Sequence, residues 1–149
     1  IRCCGIRNLS SLVLISGSAC LDPGGMPPAQ WFQGDTEADV MEDAPRRAER
    51  LGLTDTASLI AVAGAWRSVR RADYRYLLPG LGLPTRVLHG SADTDCPVAQ
   101  GSALALGLPQ ACFEVWEGCG HMLMAQGRER FVSRLETFWD DCASGEVTG

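Results

Sequence analysis

The sequence predicts an α/β fold in which strands and helices alternate along the chain. Short apolar runs at 12–15, 86–89 and 112–116 are separated by helix-compatible segments. The first run, Leu12-Val13-Leu14-Ile15, is continuously apolar, which is typical of a strand covered on both faces. Strands that alternate with helices predict a mostly parallel sheet with right-handed crossovers.

The segment after the first strand differs in character from the rest of the chain. A charged, helix-compatible stretch covers 37–51, and Pro45 predicts that it is broken into two pieces. Gly52 is placed to end it, and Thr54-Asp55-Thr56 offers an N-cap for a second helix at 57–69. The large apolar residues here are too few for an independent domain. We therefore expect a helical insertion at 22–78 that packs over a neighbouring surface.

The sheet resumes after this insertion, so its sequence comes from 1–21 and 79–149. The strand at 86–89 is followed by a predicted helix at 98–108, the strand at 112–116 and a final helix at 128–142. The final helix carries apolar residues at the spacing i, i+4, i+7 and i+11, which predicts one face packed on the sheet. These residues are Phe131, Leu135, Phe138 and Cys142.

Composition excludes several classes of function. The chain has 149 residues and a net charge of −5, which argues against a nucleic-acid partner. The seven cysteines are scattered without CxxC spacing, so no metal site is predicted and a reducing, cytoplasmic setting is expected. The apolar run from Leu9 to Leu21 is too short to cross a membrane. No cofactor, nucleic acid or membrane partner is expected.

Two candidate catalytic residues follow the second and third predicted strands. Asp93 lies three residues after Gly90, and His121 follows Gly120. Ligands of parallel sheets bind at the carboxyl ends of the strands, so both residues are expected at one edge. A carboxylate beside a histidine fixes its tautomer and stabilises the imidazolium, as in a hydrolytic relay. Asp95 is the alternative acid, and His89 is interpreted as a structural histidine.

These two segments resemble a known family. Leu83-Pro84-Thr85, Val87-Leu88-His89-Gly90, Asp93 and Pro97 resemble the acid-bearing segment of α/β hydrolases. Gly118-Cys119-Gly120-His121-Met122 resembles their histidine segment, and 9–17 resembles the strand after their nucleophile helix. The resemblance implies a doubly wound sheet, a cap at 22–78 and a Ser…Asp…His triad order. It also implies that His121 is the general base and Asp93 its orienting acid, with Asp22 as another position for the acid.

The chain departs from this family in one large respect. It contains no Gly-x-Ser-x-Gly nucleophile elbow and no oxyanion-hole glycine segment. We therefore interpret it as the C-terminal half of a serine-type hydrolase that needs the N-terminal half of the same fold and is inactive alone. The expected substrate is a small ester, thioester or similar acyl compound. Its pocket would be lined by cap residues, which could equally be ordinary cap core: Trp31, Phe32, Met41 and Trp66.

Other functions remain open on the same fold. The parent protein could be a dehalogenase, a C–C bond hydrolase or a perhydrolase, and the missing nucleophile would distinguish a dehalogenase from an esterase. A different class of function is a non-catalytic binding or accessory module with an α/β-hydrolase-like fold.

Overall fold

The computed structural model describes residues 9–20, 36–50 and 52–146, which form two compact units. The described residues of 1–19 and 74–149 form the first unit, and those of 20–73 form the second. The second unit is thus a few residues shorter than the insertion expected at 22–78. No helix in the described ranges is both long enough and apolar enough to cross a membrane.

The elements alternate along the chain as the sequence predicts. In order, they are β1 (Leu12–Ile15), α1 (Glu37–Arg50), α2 (Leu59–Arg71), a 3-10 helix (Arg75–Gly80), β2 (Thr85–Gly90), α3 (Val98–Gly107), β3 (Ala111–Trp116), α4 (Leu123–Gln126) and α5 (Arg128–Ser144).

The three strands form one parallel sheet in the order β1-β2-β3. Ile15 of β1 lies opposite Leu88 of β2, and Gly90 of β2 lies opposite Trp116 of β3. The carboxyl ends of all three strands therefore lie at the same edge. The prediction of a parallel sheet is confirmed.

Apolar side chains cover both faces of the sheet. On one face Val87 packs with Leu78 of the 3-10 helix and Leu104 of α3. On the other face Leu88 packs with Trp116 and with Leu123 of α4. Helices thus lie on both faces, as in a doubly wound fold. Val87 and Leu88 are fully buried, and burial of each such side chain stabilises the fold by about 1.5–3 kcal/mol.

Helix α5 is fixed to β3 by one carboxylate. Oε1 of Glu114 accepts hydrogen bonds from Arg130 Nη2 at 2.9 Å, Arg134 Nε at 3.2 Å and Trp116 Nε1 at 3.0 Å. Burial raises the pKa of Glu114, but the bonds from Arg130 and Arg134 lower it by more. The Arg130 guanidinium also stacks on the Trp116 ring, 4.1 Å from its centroid. The charged face of α5 is therefore tied to the sheet.

In the second unit, α1 continues through Pro45, so the prediction of a break there is wrong. Proline has no N–H to donate, so Pro45 removes one hydrogen bond from the helix. The helix nevertheless continues, and its apolar residue Val40 is buried. Both ends of the helix are also stabilised. Thr36 and Asp39 cap each other at its start, and at its end Gly52, with φ +66°, allows Leu53 N–H to bond Ala48 C=O at 2.9 Å.

Helix α2 begins later than its predicted cap. Its N-cap is Ser58, whose Oγ accepts the Ala61 N–H at 3.3 Å, rather than a residue of Thr54-Asp55-Thr56. Several Ser, Thr and Asp residues precede this helix, so local sequence offered competing caps. Glu37 of α1 and Arg67 of α2 form an ion pair at 2.7 Å.

Candidate active site

The carboxyl edge of the sheet brings Asp93 and His121 together. Asp93 lies on the turn after β2, and its Oδ2 is 3.0 Å from Nδ1 of His121. Its Oδ1 accepts the backbone N–H groups of Asp95 at 2.9 Å and of Cys96 at 2.8 Å. Both oxygens of this buried carboxylate are therefore hydrogen-bonded, which fixes its orientation.

The same bonds keep Asp93 ionised. Burial raises the pKa of this carboxyl, but hydrogen bonds from His121, from His89 and from the Cys96 amide outweigh burial. The pKa of Asp93 is held well below its usual range. At neutral pH the site therefore contains a fixed negative charge.

The charge of Asp93 determines the tautomer of His121. A carboxylate can only accept, so the hydrogen of the neutral imidazole lies on Nδ1 and the lone pair lies on Nε2. The His121 side chain is 31% exposed, whereas that of Asp93 is fully buried. The arrangement can take up a proton at Nε2 and stabilise the resulting imidazolium.

Backbone hydrogen bonds join the two loops that carry these residues. Ser91 N–H donates to Trp116 C=O at 3.0 Å, and Ala92 N–H donates to Cys119 C=O at 2.9 Å. A Cβ at Gly90 would collide with the Cys119 carbonyl, so the close approach of the loops requires glycine there.

His89, interpreted from the sequence as a structural histidine, lies beside Asp93 and His121 as a third member of the cluster. Its Nε2 lies 2.7 Å from the Cys96 carbonyl oxygen and 3.4 Å from Asp93 Oδ2. Since a carbonyl oxygen only accepts, Nε2 carries the hydrogen. The four-residue spacing from Asp93 was visible in the sequence, but no local signal indicates that the ring turns toward the carboxylate.

Two opposing effects act on the charge of His89. Burial lowers its pKa, and the bonds to Asp93 and to the Cys96 carbonyl raise it by more. A second proton would occupy Nδ1, which is buried and has no hydrogen-bond partner among the described residues. That missing acceptor opposes protonation, and Nε2 donates its hydrogen to the Cys96 carbonyl in either protonation state.

The remaining candidates have other surroundings. Asp95 contributes its backbone amide to Asp93, and the carboxylate beside His121 is that of Asp93. Asp22, Trp31 and Phe32 lie outside the described residues. The other two residues predicted to bind substrate belong to the second unit, where Met41 is half-buried and Trp66 is buried under the Arg70 guanidinium. Their part in substrate binding stays a prediction.

The cysteine nearest the acid is not poised as a nucleophile. Cys96 is fully buried, and burial together with the charges of Asp93 and Asp95 raises the pKa of its thiol to about 12. Its Sγ donates to the Gly17 carbonyl at 3.6 Å. Within the described ranges, no group of three His, Cys, Asp or Glu side chains could hold a metal ion.

The chain is similar to a curated hydrolase and to several solved structures. No protein-family model matches the chain. A curated relative, the 2-hydroxy-6-oxononadienedioate/2-hydroxy-6-oxononatrienedioate hydrolase of a Pseudomonas species, is 31% identical over 97 residues, which are 65% of this chain and 32% of that protein. The chain thus spans about a third of the length of this relative.

Similar solved structures include an esterase from Exiguobacterium antarcticum, with a TM-score of 0.70 and 22% identity over 87% of this chain and 56% of the esterase. A Pseudomonas aeruginosa hydrolase has a TM-score of 0.64 and 23% identity over 87% of this chain and 55% of its own. The meta-cleavage product hydrolase of Pseudomonas fluorescens has a TM-score of 0.61 and 14% identity, with coverage of 87% and 55%. The chain therefore has the α/β-hydrolase fold, and it spans just over half the length of these structures.

Proposed function

We propose that this chain is the C-terminal half of an α/β hydrolase that cleaves the ester, thioester or similar acyl bond of a small substrate. The observation that carries the proposal is the 3.0 Å bond between His121 Nδ1 and Asp93 Oδ2 at the carboxyl ends of adjacent parallel strands. Esterases and other hydrolases among the similar structures support the same class.

In this proposal the nucleophile is a serine on the N-terminal half of the fold. His121 Nε2 takes the proton of the serine hydroxyl as its oxygen attacks the substrate carbonyl. Asp93 stabilises the imidazolium while the tetrahedral intermediate exists. The imidazolium then gives its proton to the leaving group, and the acyl-enzyme forms. A water molecule repeats the cycle, with His121 as base, and releases the acid.

The β1 edge of the first unit supports the proposal of an N-terminal half. β1 pairs with β2 on one side, and its other edge has no strand partner among the described residues. Beside it lies an open apolar groove of about 540 Å³, lined by residues that include Leu12, Leu14, Leu77 and Leu104. An unpaired strand edge beside an apolar groove favours pairing with another strand. We propose that the N-terminal half of the same fold supplies that strand.

Hydrolysis of a C–C bond is the second candidate. The 31% identical relative is named as a hydrolase of 2-hydroxy-6-oxononadienedioate, and a meta-cleavage product hydrolase is among the similar structures. In such a reaction the carbonyl attacked would be a ketone and the leaving group a carbon. Asp93 and His121 would keep the same roles, so assays with both substrate types are needed to separate the two candidates.

The test uses the complete polypeptide encoded by the gene, assayed with p-nitrophenyl esters, acyl thioesters and a 2-hydroxy-6-oxo dienoate. We expect turnover of one substrate type, and a fall of about 10³-fold or more in kcat for Asp93→Ala and His121→Ala. The matched control is Asp95→Asn, which keeps the backbone amide that bonds Asp93 and should stay within about threefold of the wild type.

A covalent probe separates the remaining alternatives. A fluorophosphonate should label one serine of the active polypeptide, whereas a dehalogenase-type aspartate nucleophile would leave it unlabelled. Variants of Asp93 and His121 that retain full turnover would contradict the relay. A folded polypeptide without turnover of any substrate would instead favour a binding or accessory module.

A further inference from the structure

Ser16, directly after β1, has an unusual backbone conformation. Its φ is +47°, and among the described residues no other non-glycine residue has a positive φ. An L-residue in this region brings its Cβ close to the backbone, and glycine would avoid that contact. A serine here therefore carries a steric cost that needs an offsetting interaction.

The Ser16 hydroxyl provides such an interaction. It is buried and donates to the backbone carbonyl of His121 at 2.9 Å, across 105 residues of sequence. The Ser16 N–H donates to Leu88 C=O at 2.9 Å, so the residue itself is anchored to the central strand. The hydroxyl thus joins the rigid sheet directly to the residue that carries the imidazole.

Gly17, the next residue along the chain, contacts the loop that carries Asp93. The carbonyl of Gly17 accepts the Sγ–H of Cys96, and the amide of Cys96 donates to Asp93. The end of β1 therefore contacts both loops that form the His121–Asp93 pair. Strained residues of this kind occur where surrounding structure holds them for a function.

We infer that Ser16 is a positioning residue for His121, acting through its hydroxyl on the histidine backbone. Other bonds hold the loop as a whole, since the Gly120 N–H donates to Gln126 Oε1 at 2.7 Å and Ala92 N–H donates to Cys119 C=O. Loss of the Ser16 hydroxyl leaves the loop folded but releases the carbonyl of His121. The imidazole then moves relative to Asp93. For catalysis, this inference rests on the proposed hydrolase function.

Two substitutions in the complete polypeptide separate positioning from stability. Ser16→Ala removes the hydroxyl and keeps the backbone strain, so its melting temperature should fall. Ser16→Gly removes the hydroxyl and relieves the strain, so its melting temperature should stay near that of the wild type. Both should lose about 10- to 100-fold in kcat with KM within about threefold, because the base is displaced. The matched control is Ser133→Ala on the exposed face of α5, which should change neither the melting temperature nor the kinetic constants.

The hydrogen bond between His121 Nδ1 and Asp93 Oδ2 gives a readout that does not depend on activity. In a ¹⁵N-labelled polypeptide, the His121 Nδ1 proton should resonate at low field and exchange slowly with water. Both Ser16 variants should move this resonance upfield and speed its exchange, whereas Ser133→Ala should not. The resonance is assigned by its loss in His121→Gln.

The outcomes are distinguishable from those that test the proposed function. A Ser16→Gly variant with wild-type kcat and an unchanged Nδ1 resonance would overturn the positioning role, whatever its melting temperature. If the wild-type polypeptide turns over no substrate, the proposed function fails, and the Nδ1 resonance still decides whether Ser16 positions His121. Loss of activity that follows melting temperature alone would also overturn the inference.

Discussion

At the scale of single residues, the charge of Asp93 determines how the site behaves with pH. Hydrogen bonds hold the pKa of this buried carboxyl well below its ordinary value of 3.8. A group whose pKa is lowered by folding contributes stability that is present above its unfolded pKa and is lost as pH falls toward its folded pKa. The contribution of Asp93 should therefore be complete at neutral pH and decline below about pH 4.

Asp93→Asn tests this expectation. Asn can still accept one bond at its carbonyl oxygen, but its NH₂ group faces donors that now lack an acceptor. We expect the free energy of unfolding to fall by about 2–3 kcal/mol at pH 7, because charge-assisted bonds to a buried group are lost. Urea unfolding of both proteins between pH 3 and pH 7 should give curves that converge below about pH 4. A stability gap that is constant across this range would contradict the assignment of an ionised Asp93, and Asp95→Asn is the control for a general loss of charge.

The residues of the site differed in how far sequence could predict them. Asp93 and His121 follow apolar runs in a βαβ order, and parallel strands bring such residues to one edge whatever the tertiary details. Ser16 could not be predicted, because nothing local distinguishes a serine at φ +47° from one in an ordinary turn. The bond from His89 to the Cys96 carbonyl depends on the path of the turn between them, which the sequence does not specify.

At the scale of elements, the packing of α3 against β2 depends on one glycine. A Cβ at Gly101 would collide with the His89 imidazole and approach the Phe113 ring. Helix α3 can therefore lie against the buried His89 ring only because residue 101 has no side chain. Gly64 in the interior of α2 is the natural comparison, since a Cβ there would meet no atom within 4 Å.

Gly101→Ala and Gly64→Ala should have opposite effects on stability. Gly101→Ala should lower the free energy of unfolding by about 1–3 kcal/mol, because it overpacks the contact with His89. Gly64→Ala should raise it by about 0.5–1 kcal/mol, because alanine loses less conformational freedom in a helix than glycine does. Urea unfolding of the two variants measures both changes. A Gly101→Ala protein as stable as the wild type would show that α3 does not rest on His89.

Elements were predicted better than their ends. Short, mainly apolar runs predicted all three strands within about one residue of their observed bounds, and only that of β1 is apolar throughout, as a strand buried on both faces requires. The break at Pro45 was wrong because local propensity is outweighed when the flanking residues of α1 stay packed and capped. The start of α2 was misplaced for a related reason, because several possible caps lie within five residues.

At the scale of the whole molecule, the proposed pairing with an N-terminal half concerns the edges of the sheet. Leu12 N–H and Ser16 N–H point toward β2 and donate to the carbonyls of Pro84, just before that strand, and of Leu88 within it. Amides of a parallel strand point alternately to its two sides, so those of Val13 and Ile15 face away from β2. At the opposite edge, Thr85 N–H donates to Gln110 C=O, and by the same alternation Phe113 N–H faces away from the sheet.

Residue-resolved hydrogen exchange of the complete polypeptide tests the proposed attachment. If an N-terminal half pairs with β1, the Val13 and Ile15 amides should exchange as slowly as that of Val87 in the central strand. The outward amide of Phe113, at the edge with no proposed partner, should exchange faster than these and serves as the internal comparison. Fast exchange of Val13 and Ile15 beside a protected Val87 would contradict pairing at β1. Since the proposed nucleophile belongs to the segment that pairs there, that result would also remove the structural basis for a complete triad in one polypeptide.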